Sequence, residues 1–130
     1  MPYGYRDDEW IDARMAARRL LVARAAVGET ITYAELTATP LGPIAFRPDD
    51  PALGRLLGEV SAAEDAYGRG MLSAVVVRKQ GSGAGLPGAG FFVLARRLGR
   101  DVGDAPADRQ AFWRAELERV FEAASGEVEQ

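Results

Sequence analysis

The amino-acid sequence predicts a mostly helical α+β domain with a small β element and an added C-terminal helix. Three observations predict it. Apolar residues recur at helical spacing in three stretches, near 7–27, 50–67 and 107–124. The run from Met71 to Lys79 is instead continuously apolar and β-branched before it ends on two cations. Prolines and glycines crowd the stretches between, at Pro40, Pro43 and Pro48 and again from Gly81 to Gly90. The 130 residues suit a single domain, and 48% apolar content is enough for a packed core. The expected organisation is a core over 7–98, a last helix over 107–124 and a frayed acidic tail over 125–130.

The first helix should open at Asp7, Asp8 and Glu9, whose charges complement the helix dipole, and stop at Gly28. Ile11, Met15, Val22 and Ala25 or Ala26 make its apolar face, with Trp10 and Leu21 flanking. Thr32 and Glu35 have the spacing of a capping box, so a short helix should begin at Tyr33, after a brief extended segment at Thr30 and Ile31. Residues 39–48 hold three prolines and cannot be regular helix. Asp50 and Pro51 are cap and first-turn residue for a helix with Leu53, Leu56, Leu57, Val60, Ala63 and Tyr67 on one face. Gly68 and Gly70 end it. Met71 to Lys79 is the best strand in the chain. Phe91, Leu94, Ala95 and Leu98 favour a helix over 91–98, although Phe92 to Leu94 alone would allow a hairpin return. The last helix places Trp113, Leu117, Val120, Phe121 and Ala124 on one face.

Composition excludes several chemistries. The chain has no cysteine and no histidine. Disulfides, zinc sites built on Cys or His, thiolate nucleophiles and triads with a His base are therefore out of reach. No apolar stretch is long enough to cross a membrane, and the N-terminus has no apolar signal core, so a soluble cytoplasmic protein with no membrane partner is expected. The net charge of −3 argues against a broadly basic nucleic-acid binder but allows a local basic patch. Lys79 is the only lysine.

The glycine loop spells G-x-G-x-x-G from Gly83 to Gly88. A dinucleotide site needs that spelling at a tight strand-to-helix turn, with a second parallel strand beyond. Arg78, Lys79 and Gln80 separate the apolar run from the loop's first glycines, and no second strand precedes Asp101. No nucleotide cofactor is expected. Two readings of the loop remain. One is a solvated tip. The other is an anion-contacting loop in which free amides from Gly88 to Phe91 open a helix beside Arg78 and Lys79. A metal nuclease would need an acid two residues before Lys79, where Val77 stands. No metal site and no catalytic residue are assigned, since the acids read as caps and solvated faces. Arg14 and Arg18 are an oddity, lying on the apolar face of the first helix. Either their stems pack while the heads pair with acids, Glu64 being the candidate partner, or they form a buried polar site for an anionic ligand.

Helix, short strand, capped helix, helix, strand and glycine-rich loop is the order of a winged helix-turn-helix. Gly28, Thr32 and Tyr33 match the Gly-x-x-x-Thr/Ser-Tyr turn, and Val76 and Val77 precede a glycine-rich wing. The stretch resembles the DNA-binding domain of alkylguanine-DNA alkyltransferases over about residues 20–92. The resemblance implies a DNA-binding winged helix. The family's reactive cysteine is absent, which rules out alkyl transfer. The helix at 50–67 would be the recognition helix, yet it carries Arg55 against Asp50, Glu59, Glu64 and Asp65. Groove insertion is therefore not expected. Contacts to nucleic acid would fall to the wing: Arg47, Arg69, Arg78 and Lys79, with the amides of Gly88 and Gly90.

The leading expectation is a small non-catalytic binding module that contacts nucleic-acid phosphates through the wing. The alternative is a protein–protein adaptor presenting an apolar patch, with Phe46 or Phe112 as its centre. A third reading, from another class, is a small enzyme using Arg14, Arg18 and Glu64.

Overall fold

The computed structural model describes residues 2–79 and 85–129. Helix α1 spans Asp7–Ala26, β1 Ile31–Thr32, α2 Tyr33–Leu36, α3 Pro51–Ala66, β2 Val76–Val77, α4 Ala89–Arg97 and α5 Pro106–Glu129. The fold is mostly helical, with a small parallel sheet that pairs Ile31 with Val76 and Thr32 with Val77. No described helix is long and apolar enough to cross a membrane.

The centre of the molecule is the segment from Met71 to Val77, in which every residue is buried. The strand expected over Met71 to Lys79 is corrected here. Leu72–Val75 is 3-10 helix, and only Val76–Val77 is strand. The apolar, β-branched composition reports burial on all sides, which a strand and a buried turn share. With little sheet to join, the backbone finds side-chain partners. Met71 N–H donates to Glu116 Oε2 at 2.8 Å, and Ser73 N–H to Ser61 Oγ at 2.8 Å. Ala74 O accepts from Trp113 Nε1 at 2.8 Å. The expectation that no second strand exists is also corrected: the extended segment before α2 supplies one, two residues long and parallel.

α1 packs at once on α5, α3 and the 3-10 segment. Its buried stripe is Trp10, Ala13, Ala17, Leu21 and Ala25. The expected face is thus rotated: Ile11 and Met15 are 46% and 52% exposed. Alanines let three neighbours approach the helix axis closely, so small side chains fill the inner face and larger ones turn outward. Gly28, at φ +70°, ends the helix as expected.

The capping box forms. Glu35 N–H donates to Thr32 Oγ1 at 3.1 Å, and Thr32 N–H donates to Glu35 Oε1 at 3.0 Å. The irregular stretch from 37 to 50 is pinned by Leu41 and Ile44, which exchange backbone bonds of 2.8 and 3.1 Å. Phe46 is buried there and lies edge-on to Trp10 and Tyr5. α3 opens as expected, with Asp50 Oδ1 accepting from Ala52 N–H at 2.9 Å. Leu53, Leu56, Leu57 and Val60 are buried, but Ala63 and Tyr67 are exposed and Ser61 and Glu64 are buried instead. In α5 the fully buried positions are Glu116, Val120 and Ala124. Trp113, Leu117 and Phe121 are half-buried. α5 continues past Gly126, where the sequence predicts fraying.

Candidate functional site

Three carboxylates gather most of the arginines that the sequence leaves ambiguous. Glu59 accepts from Trp10 Nε1 at 2.9 Å, Arg14 at 3.1 Å and Arg55 at 3.0 Å. Glu64, 4% exposed, is bonded by Arg18 and Arg69. Glu116, 1% exposed, takes Met71 N–H together with Arg100 and Arg119. Burial pushes the Glu64 carboxyl up, but hydrogen bonds from Arg69 and Arg18 outweigh it and hold the group below its ordinary range. Burial likewise raises Glu116, and Arg100 and the Met71 amide more than reverse it. Glu59 is depressed in the same way, against its own desolvation, by Trp10, Arg55 and Arg14.

These networks answer the question of Arg14 and Arg18. Arg14 rests on Glu59 and Arg18 on Glu64, and the concavity beside them is only about 90 Å³. The geometry is that of packed stems with paired heads. Arg69 is drawn into the same structure. It pairs with Glu64 and lies over the Tyr67 ring, 4.7 Å from its centroid. It lines neither of the concavities that Arg78 lines. Arg47 is exposed and pairs with Asp49 at 3.5 Å.

The remaining wing residues do converge. Arg78 N–H donates to Leu86 O at 2.8 Å, and Gly85 N–H returns a bond of 2.7 Å to Arg78 O. These two bonds close the base of the glycine loop. Gln80 through Ala84, including the first two residues of the G-x-G-x-x-G spelling, lie outside the described residues. After Pro87 the chain enters α4, so 91–98 is helix and not a hairpin return. Gly88 is the cap residue and offers no side chain. The expected anion contact needs the Gly88 amide free, and it is not. It donates to Tyr33 Oη at 3.1 Å, because the Tyr33 ring stands where a Gly88 Cβ would meet its oxygen at 3.2 Å. Phe91 N–H turns back to Gly88 O at 3.1 Å. The first-turn amides of Ala89 and Gly90 precede the first intrahelical bond and carry the positive end of the dipole.

Two open concavities meet at this helix end. One, about 600 Å³, is lined by Arg78, Lys79, Tyr33, Pro48 and Ala89, with Asp49 as the one carboxylate among its described lining. The other, about 460 Å³, holds Arg78, Arg96 and Arg109 over an apolar floor. Arg78 and Ala89 belong to both. Arg78 and Lys79 are exposed and make no ion pair among the described residues. Arg96 and Arg109 escape a reading from sequence, because only packing brings the end of α4 and the start of α5 beside the loop. No protein-family model matches the chain, and neither does any curated protein or solved structure.

Proposed function

We propose that the chain is a small non-catalytic winged-helix-like module that binds nucleic-acid phosphates at the loop base and the start of α4. The observation that carries this reading is the position of Arg78 and Lys79. Both are exposed and make no ion pair among the described residues, Lys79 having only a longer-range attraction to Glu35. They stand in a concavity next to first-turn amides that have no side-chain cap. A phosphate oxygen suits each of these groups. The order α1–β1–α2–α3–β2 is in keeping with that layout, with the wing reduced to a loop closed at its base that leads into α4 and not into a returning strand. The stretch from 37 to 50 separates α2 from α3 by more than the tight turn of a simple helix-turn-helix. α3 itself buries Leu53, Leu56, Leu57 and Val60, and its Arg55 is held by Glu59. Contacts therefore fall to the loop and not to a groove-reading helix.

The test is a salt titration of fluorescence anisotropy with labelled DNA. Affinity should fall linearly in log–log form, because binding releases counterions and rising salt makes that release less favourable. Arg78→Ala with Lys79→Ala should weaken binding to all sequences alike and reduce the slope by about one to two. Absence of binding at low ionic strength sinks the reading.

The adaptor reading keeps one supporting observation. Phe46 is buried, and Phe112 is half-buried against Phe91 with Arg100 over its ring, so neither centres an exposed patch. Ile11 and Met15, one turn apart on α1, are the exposed apolar pair that a protein partner would cover.

A further inference from the structure

We infer that the nucleic acid taken here is single-stranded, and that it runs from the Lys79 concavity across the start of α4 to Arg96 and Arg109. This rests on the proposed phosphate reading and names the form of its ligand.

The second concavity has three guanidinium groups and no carboxylate among its described lining. Two of the three are held in place by backbone. Arg96 Nη2 donates to Gly103 O at 2.6 Å, and Arg109 Nη1 donates to Asp104 O at 2.9 Å. Each bond uses one of five donors and leaves the rest for a ligand. Anchoring also lowers the entropy lost on binding. Beside these cations lies apolar surface from Leu86, which is half-buried, and Val93, which is 48% exposed.

That combination discriminates between forms of nucleic acid. A duplex turns phosphates and sugars outward and keeps its base faces stacked, so an apolar floor between arginines gains nothing from it. A single strand exposes its bases, which settle on apolar or aromatic surface while flanking phosphates meet the cations. Both concavities are hollows joined at Arg78 and Ala89. A major-groove reader needs a helix with available polar side chains, and the arginine of α3, Arg55, is paired with Glu59.

The experiment compares a labelled oligothymidylate with a duplex of the same length on the full chain, across a salt series. The single strand should bind more tightly. Arg96→Ala with Arg109→Ala should weaken single-strand binding roughly tenfold and lower its salt slope by about 1.4, one phosphate for each arginine. Duplex binding should not move. Arg96→Lys with Arg109→Lys removes the fork but keeps the charge, and should restore the slope even if the carbonyl bonds are lost. Thermal melts of each variant separate lost binding from lost folding. If the duplex binds as tightly, or if the alanine pair leaves single-strand affinity and slope unchanged, the inference is overturned. In both cases the phosphate reading stands as long as the Arg78 and Lys79 variants still weaken binding. If neither form binds at low salt, the reading and the inference fall together.

Discussion

Replacing Glu116 with Gln removes one charge from a carboxylate that is 1% exposed and holds the central segment in place. Oε2 accepts from Met71 N–H at 2.8 Å and Arg100 Nη1 at 3.0 Å. Oε1 accepts from Arg100 Nη2 and from Arg119 Nη1 at 3.2 Å. The glutamine amide has one acceptor oxygen, so either the Met71 amide or the arginines lose a partner. A lost charge-assisted bond costs about 1.5–3 kcal/mol. Arg100 is 24% exposed and still reaches water, which limits the penalty of leaving it unpaired. We expect Glu116→Gln to destabilise by about 2–3 kcal/mol, and Glu116→Ala, which also strands the Met71 amide, by about 3–5 kcal/mol. Urea unfolding followed by the fluorescence of Trp10 and Trp113 measures both. The variants should also change the pH dependence. The folded Glu116 carboxyl lies below its ordinary value of 4.5, so the unfolded chain takes up this proton first as pH falls. Its contribution is complete above the unfolded value and is lost as pH drops through the folded one. Glu59 and Glu64 act in the same sense. Wild-type stability should therefore decline with acid below about pH 4.5, and less steeply in Glu116→Gln. Wild-type-like stability in both variants at neutral pH would refute the assignment of Glu116 as the support of residues 71–75.

Ser61 and Ser73 offer a matched pair. Ser61 Oγ accepts Ser73 N–H at 2.8 Å and bonds Ser73 Oγ at 2.6 Å, so Ser61→Ala should cost about 1–3 kcal/mol and Ser73→Ala less, since the amide bond survives. Equal losses in urea unfolding would contradict this. Gly70 sits at φ +86°, where an added Cβ would come within 3.1 Å of Val120 Cγ2. Gly70→Ala should lower stability by about 1–3 kcal/mol, read as a drop in thermal midpoint.

Local chemistry was legible in the sequence where it depended on neighbours in the chain. The Thr32–Glu35 box, the Asp50–Pro51 start and the Gly28 stop all stand where their residue types place them. The faces of the helices were less legible, because they depend on what packs there. Ile11 and Met15 outweigh Ala13 and Ala17 in hydropathy, yet crowding favours the alanines. The segment from Met71 to Val77 shows the same limit. Its composition records complete burial, but its conformation is decided by Ser61, Trp113 and Glu116, up to 45 residues away in the chain. Of the candidate site, Arg78 and Lys79 were legible as a pair at a loop base. Arg69 was misleading: Glu64, five residues before it in the chain, takes it out of the loop cluster. Arg96 and Arg109 carried no sequence signal at all.

The net charge of −3 weighs less against a polyanion partner than it first does. At about 0.1 M salt, charges beyond roughly 10 Å are largely screened, so the field at Arg78 is set locally. Glu59, Glu64 and Glu116 are turned inward and met by Arg14, Arg55, Arg18, Arg69, Arg100 and Arg119. Their negative charge is therefore neutralised where it lies. Asp49 is the only acid among the described lining of the first concavity, and Arg47 stands 3.5 Å from it. The second concavity has none among its described lining. Folding thus sorts the charges, with the long-range pairs that fix the core consuming carboxylates and arginines together. The cations left at the start of α4 then face solvent in hollows where Asp49 and the nearby Glu35 are the opposing charges among the described residues.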